Sequence, residues 1–171
     1  MAGRGIGGHQ RPYEGGTDVW LTPPDLLAKL GQFDLDPCAA PDPRPWPTAA
    51  THYVAAQDGL TEPWYGRVWL NPPYGPRAGL WLAKLAQHGQ GTALIFARTE
   101  TAAWHDHVWP HATGILFLAG RLHFHWPDGQ RAQFNGGAPS ALVAYGQNDL
   151  LALVNSGIPG AIVRLNDEQS A

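Results

Sequence analysis

One short stretch restricts this sequence more than any other: the apolar run Val68-Trp69-Leu70 is cut off at once by Asn71-Pro72-Pro73-Tyr74. Each proline fixes φ and lacks an N–H, so neither a helix nor a hydrogen-bonded ladder continues through two of them. The run therefore reads as a short buried strand whose carboxyl end is marked by a polar turn. The rest of the chain is punctuated in the same way, by 21 glycines and 16 prolines among 171 residues. A normal apolar content of 44% still leaves enough to build a core, so the expectation is short elements joined by tight turns. The length suits one domain.

Other elements follow from periodicity. Thr22-Pro23-Pro24 opens a helix running to Leu30, with threonine as a possible cap and Asp25 in the first turn. Phe33 to Asp36 reads as a strand stopped by Pro37, and the proline-rich stretch Ala40 to Thr51 as an irregular loop. Helices are expected at Leu80–His88, Thr101–Val108 and Asp149–Asn155. Further strands are expected at Thr92–Ala97, Ile115–Leu118, Leu122–Trp126, Ala141–Tyr145 and Ala161–Leu165, with a hairpin turn at Pro127-Asp128-Gly129. Buried strands alternating with helices predict an α/β sheet with helices on both faces, and the late hairpins predict antiparallel edges. Residues 1–17 read as a flexible N-terminal tail, 18–166 as a single domain and 167–171 as a C-terminal tail.

Eleven basic and 14 acidic residues give a net charge of −3, which excludes a coat protein that binds nucleic acid through a strong positive field. Nine arginines against two lysines favour directed hydrogen bonds over diffuse attraction. A single cysteine, Cys38, excludes an internal disulfide. The histidines His105, His107, His111, His123 and His125 are not joined by a carboxylate or cysteine in any ligand pattern, so no metal site is expected. No apolar run approaches a membrane span, and a cytoplasmic protein is expected.

In open α/β sheets ligands sit beyond the carboxyl ends of strands, which directs attention to Asp36, Asp58 and Asn71. The Asn71-Pro72-Pro73-Tyr74 turn is rich in acceptors and poor in donors. The Asn71 amide oxygen and the Pro72 carbonyl can together accept both hydrogens of a planar amino group, and Tyr74 offers a ring on which a base can stack. An exocyclic amine on adenine is a weak nucleophile because its lone pair is delocalised into the ring. Two acceptors that favour a pyramidal, increasingly positive nitrogen assist the transition state more than the ground state. The same tetrapeptide is also an ordinary strand-ending turn, Asp58-Gly59 an ordinary turn pair, and Asp36 an ordinary strand terminator.

The ordered series carries more than any one motif. Trp20-Leu21-Thr22-Pro23, Phe33-Asp34-Leu35-Asp36-Pro37-Cys38-Ala39, Asp58-Gly59-Leu60, Asn71-Pro72-Pro73-Tyr74, Arg98-Thr99-Glu100-Thr101 with Trp104-His105, and Gly120-Arg121-Leu122-His123-Phe124 follow in that order. From Asp18 to Tyr145 the chain resembles the phage-type DNA N6-adenine methyltransferases. The resemblance implies a shortened Rossmann-like methyltransferase sheet, S-adenosylmethionine as cofactor, and double-stranded DNA as substrate. By position it implies that Asn71, Pro72, Pro73 and Tyr74 hold the target amine and base. It places Thr22, Pro23, Asp36, Pro37, Asp58, Gly59 and Leu60 along the cofactor, and Arg98, Thr99 and Arg121 on DNA; Arg131 joins them as a donor beside the exposed hairpin turn. The stretch 121–139 is the candidate recognition hairpin, read as a two-stranded ribbon fit for a major groove.

Two departures stand out. No glycine-rich loop follows the first strand, and only 35 positions separate Asp36 from Asn71, so the cofactor half must be shortened. Methylation of RNA or of a protein amide, and a DNA-binding relic without catalysis, are the alternative readings at this stage.

Overall fold

The computed structural model describes residues 19–133 and 135–166. The two tails expected at 1–17 and 167–171 lie outside the described residues. The elements are α1 (Pro24–Leu30), β1 (Leu35–Asp36), β2 (Thr51–His52), β3 (Val68–Leu70), α2 (Ala78–His88), β4 (Gly91–Phe96), β5 (Gly114–Leu118), β6 (Ser140–Tyr145), α3 (Gln147–Asn155) and β7 (Gly160–Arg164). A 3₁₀ turn at Ala55–Gln57 and a π-helical turn at Trp104–Val108 complete them. The seven strands form one mixed sheet in the order β2-β1-β3-β4-β6-β5-β7. The β2/β1, β1/β3 and β3/β4 pairs are parallel, and the β4/β6, β6/β5 and β5/β7 pairs antiparallel.

Strand alternation sorts the core onto two faces. Val68, Leu70, Ala93, Ile95, Ala141 and Val143 pack with Trp81, Leu82 and Leu85 of α2 and with Trp104 and Val108 of the π-helical turn. Their neighbours Trp69, Leu94, Leu142 and Ala144 point the other way, onto Leu26, Leu27 and Leu30 of α1 and Leu150 and Leu153 of α3. Helices thus cover both faces, as the apolar runs predict. Each buried leucine contributes about 1.5–3 kcal/mol, which holds a seven-residue helix such as α1 that has little stability alone.

From β1 the chain steps outward to β2, then returns to place β3 on the opposite side of β1. The order therefore reverses between β1 and β3, and the carboxyl ends at such a reversal are where open α/β sheets place their ligands. Leu35 and Val68 are the one registered pair between the two strands. Arg67 reinforces this seam at the opposite end of the strands. Its backbone N–H donates to Asp34 Oδ2 at 2.7 Å, and its carbonyl accepts from Asp34 N–H at 2.8 Å. Its guanidinium donates to Leu30 O (2.7 Å), Gln32 O (3.0 Å) and buried Asp149 Oδ1 (2.9 Å), and lies 4.1 Å from the Phe33 ring centroid.

Several expectations need correction. The first helix starts at Pro24, and Thr22 makes no cap, because Pro23 and Pro24 fix the entry without one. The strand expected over Phe33–Asp36 is reduced to Leu35–Asp36, and the short β2 at the end of the proline-rich loop was not anticipated. The expected helix Thr101–Val108 widens into a π turn, with the Trp109 N–H donating to Trp104 O at 2.9 Å. Leu122–Trp126 is not a continuous strand; it is pinned by bridges of His125 to Leu21 on one side and to Arg131 on the other. The excursion carrying Arg131 is therefore seated against the domain and does not project as a free ribbon. Trp20 against Trp126 (4.5 Å between centroids) and Trp46 edge-on to His125 (5.2 Å) hold it there.

Candidate functional site

The carboxyl ends of β1, β3 and β4 gather Asp36, Asn71 and Phe96 at one edge of the sheet. Asn71 follows Leu70 directly and is half-buried, while Pro72 is buried. The Asn71 side chain is oriented by its own amide nitrogen, which donates to Trp20 O at 3.3 Å and to Thr22 Oγ1 at 3.4 Å. With the nitrogen so engaged, the oxygen is the end left to meet a ligand. Thr22, only 2% exposed, is itself fixed because its carbonyl accepts from Trp46 Nε1 at 3.1 Å. The residue expected to cap a helix and line a cofactor thus positions Asn71.

Tyr74 lies with its ring stacked on Phe96, centroids 4.3 Å apart and planes 12° from parallel, and edge-on to Phe124 at 6.3 Å. One face of the ring is thereby occupied, yet the residue remains 37% exposed. Burial around its hydroxyl raises the phenol pKa, so the group stays protonated at neutral pH. Arg98, two residues beyond Phe96 and exposed, places its guanidinium 5.8 Å from the Phe96 centroid. Thr99 is half-buried, and its carbonyl accepts from Trp109 Nε1 at 3.3 Å. The sequence pointed to Tyr74, Arg98 and Thr99 but not to Phe96 or Phe124; an aromatic closing an apolar strand was the available signal for Phe96.

Around β1 the structure brings Pro37 and Gly59 together. A Cβ on Gly59 would lie 2.0 Å from the Pro37 carbonyl oxygen, so only glycine permits this approach. The Gly59–Glu62 turn is tied down by Lys84 of α2, whose ammonium donates to the carbonyls of Gly59, Leu60 and Glu62 at 3.2, 2.8 and 2.5 Å. Asp58 precedes it, exposed and in a left-handed conformation (φ 51°).

Asp36 differs from the expectation of an open acceptor. It is 3% exposed, and both carboxylate oxygens are engaged within the chain. Oδ1 accepts the Cys38 N–H at 3.0 Å, and Oδ2 accepts the Thr48 hydroxyl. Burial pushes its pKa up to about 6, against the opposing pull of these bonds and of Arg44. Burial, with the neighbouring Asp36 charge, also pushes the Cys38 thiol up to about 12, so it is inert as a nucleophile. Asp36 therefore clips the turn after β1 to the proline-rich loop. The expected DNA residues Arg121 and Arg131 line a cleft beside α1, next to this site and beyond the carboxyl end of β5. Among the described residues no group of three or more histidines, cysteines or carboxylates is placed to hold a metal.

A strand-order reversal, an acceptor-rich turn at that reversal and an aromatic stack beside it stand together at this end of the sheet. The family model for DNA N-6-adenine-methyltransferase (Dam) matches residues 11–150, and the chain belongs to this family. It is accordingly a DNA adenine methyltransferase, a transferase with DNA as its substrate. No curated protein and no solved structure matched the chain. No helix among the described residues is long and apolar enough to cross a membrane.

Proposed function

We propose that this protein transfers a methyl group from S-adenosylmethionine to the N6 amine of an adenine in double-stranded DNA. In this reading residues 18–166 are a single, shortened Rossmann-like domain. The observation that carries it is the orientation of Asn71, whose nitrogen is held by Trp20 and Thr22 so that its oxygen is available to an amino group.

The donor set suits a cationic cofactor. Pro37 at the end of β1 has no N–H, and its carbonyl together with exposed Asp58 supplies acceptors. Asp58, Gly59 and Leu60 with the Asp36–Ala39 turn would hold S-adenosylmethionine, which supplies an electrophilic methyl on a sulfonium. Asp36 serves this pocket as a positioning residue, since its carboxylate is spent on Cys38 and Thr48. In place of a glycine-rich loop, the turn is shaped by that clip and by the contact of Gly59 with Pro37.

The chain's part in the reaction is alignment and charge stabilisation. Asn71 Oδ1 and the Pro72 carbonyl accept the two amine hydrogens and favour the pyramidal nitrogen, and the growing positive charge strengthens both bonds. Tyr74, backed by Phe96, takes the base on its remaining face after extrusion from the helix, which costs a few kcal/mol. Thr22 and Pro23 keep Asn71 in register. Arg98 and Thr99, on the same edge, reach the flanking DNA.

The test is incubation of purified protein with duplex DNA and S-adenosylmethionine labelled in its methyl group, followed by digestion to nucleosides. Label in N6-methyldeoxyadenosine with wild type, and none with Asn71→Ala, is expected. Label confined to RNA or to protein added in parallel would overturn the reading, as would no label in any acceptor.

A further inference from the structure

A second feature lies one residue from the amine site. A cleft of about 350 Å³ runs between α1 and the segment 118–131, walled in part by Ile158 and Pro159. Three cations line it, Lys29, Arg121 and Arg131, against one carboxylate, Asp25. The chain as a whole carries −3, so this concentration of positive charge runs against the background. Among the described residues none of the three is in an ion pair, and Arg121 Nη1 makes only a long bond to Gly136 O at 3.4 Å. Elsewhere Arg44 and Arg67 have carboxylate partners, at 3.0 and 2.9 Å, and Lys84 is consumed by carbonyls.

Building on the reading above, we propose that this cleft seats the sugar–phosphate backbone flanking the target adenine, with Lys29, Arg121 and Arg131 contacting phosphates. Pro23 lines the cleft and Thr22 holds Asn71, so a strand lying in it ends at the methylation site. Leu26, Leu118, Leu122 and Ile158 give it apolar walls against which deoxyribose packs. Arg131 is fixed in place: His125 Nδ1 meets Gly129 O at 2.9 Å, and His125 bridges to both Leu21 and Arg131. A segment bonded along Leu21 and packed through Trp20 and Trp46 cannot enter a major groove as a free ribbon. Its arginines therefore act on the backbone and set affinity and register, without reading bases.

The experiment measures binding of a fluorescently labelled duplex across a potassium chloride series by anisotropy. Three phosphate contacts contribute about −2.7 to the slope of log K against log salt, or about a 40-fold loss between 50 and 200 mM. Lys29→Gln, Arg121→Gln and Arg131→Gln should each reduce the slope by about 0.9, and the triple variant should lose the whole contribution, raising KM for DNA. Unchanged S-adenosylmethionine binding by calorimetry shows that the variants are folded. Arg121→Lys and Arg131→Lys keep a point charge, so they should retain slope and methylation motif; a bidentate contact to guanine would be lost with either. A triple variant with wild-type slope and affinity overturns the cleft, as does a relaxed motif in the lysine variants. Failure of the enzymatic reading looks different: wild-type protein would bind duplex through these three residues yet transfer no methyl to adenine.

Discussion

Asp36 is the residue whose replacement tests the most physical reasoning at once. Its carboxyl is buried, and its pKa stands at about 6 where an exposed aspartate has 3.8. That difference corresponds to about 3 kcal/mol at 1.36 kcal/mol per tenfold change in proton affinity. The folded state binds this proton more tightly than the unfolded chain does. Its stabilising contribution is thus complete below pH 3.8 and is lost as pH rises through 6, leaving the ionised group about 3 kcal/mol costly at pH 8. Asp36→Asn removes the charge and keeps the shape: the amide oxygen still accepts from Cys38, and the amide nitrogen donates to Thr48. The variant should therefore exceed wild type in stability by up to about 3 kcal/mol at pH 8, with about half that advantage at pH 5. Urea unfolding of both proteins at the two pH values measures it. Burial lowers the His52 pKa, but that histidine titrates in both proteins and largely cancels in the difference. Because both oxygens face inward, S-adenosylmethionine affinity should be retained. An advantage that does not grow between pH 5 and pH 8 would falsify the burial argument, and a tenfold or greater loss of cofactor affinity would show that the carboxylate turns outward.

Other substitutions probe separate parts of the site. Asn71→Ala should reduce kcat by at least 100-fold with cofactor affinity preserved, since the lost acceptor acts chiefly in the transition state, and single-turnover methylation reads this directly. Tyr74→Ala should weaken transfer by about 1–3 kcal/mol while Tyr74→Phe stays close to wild type, because stacking needs the ring; equal damage from both would assign the role to the hydroxyl. Gly59→Ala should destabilise the fold and lower cofactor affinity together, because its Cβ meets the Pro37 carbonyl at 2.0 Å; thermal unfolding and calorimetry on the same sample check it. Asp58→Asn should lower S-adenosylmethionine affinity by about ten- to a hundredfold without moving the unfolding midpoint, as expected for an exposed charge-assisted contact.

The sheet was legible where apolar runs are abrupt. Val68–Leu70 is stopped by Asn71-Pro72, Gly91–Phe96 opens on glycine and Ser140–Tyr145 is closed by Gly146, and the alternation within them assigns faces from the sequence alone. The strand-ending place of Asn71-Pro72-Pro73-Tyr74 was legible for the same reason, since two successive prolines stop a strand. What escaped notice depends on partners far along the chain. Thr48 reaches Asp36 across 12 positions, Trp46 reaches Thr22 across 24, and no local pattern marks either. The strand expected over Leu122–Trp126 failed because its alternation is satisfied by packing on Trp20 and Trp46, with bridges replacing a ladder. Asp36 was legible as important but not as buried, because a strand-ending carboxylate looks the same in sequence whether it faces a ligand or a threonine.

Arg67 carries a consequence for how this enzyme can be altered. One side chain at the foot of the sheet joins α1, β1, β3 and α3. Tolerance to change is therefore inverted along the strands. The rim, where the proposed site lies, is built of loops and is the place to vary in search of new DNA sequence preferences. The foot, at the other end of the strands, rests on this one side chain, and libraries that leave Arg67 and Asp149 untouched should yield more folded members than libraries that spare only the Asn71–Tyr74 turn.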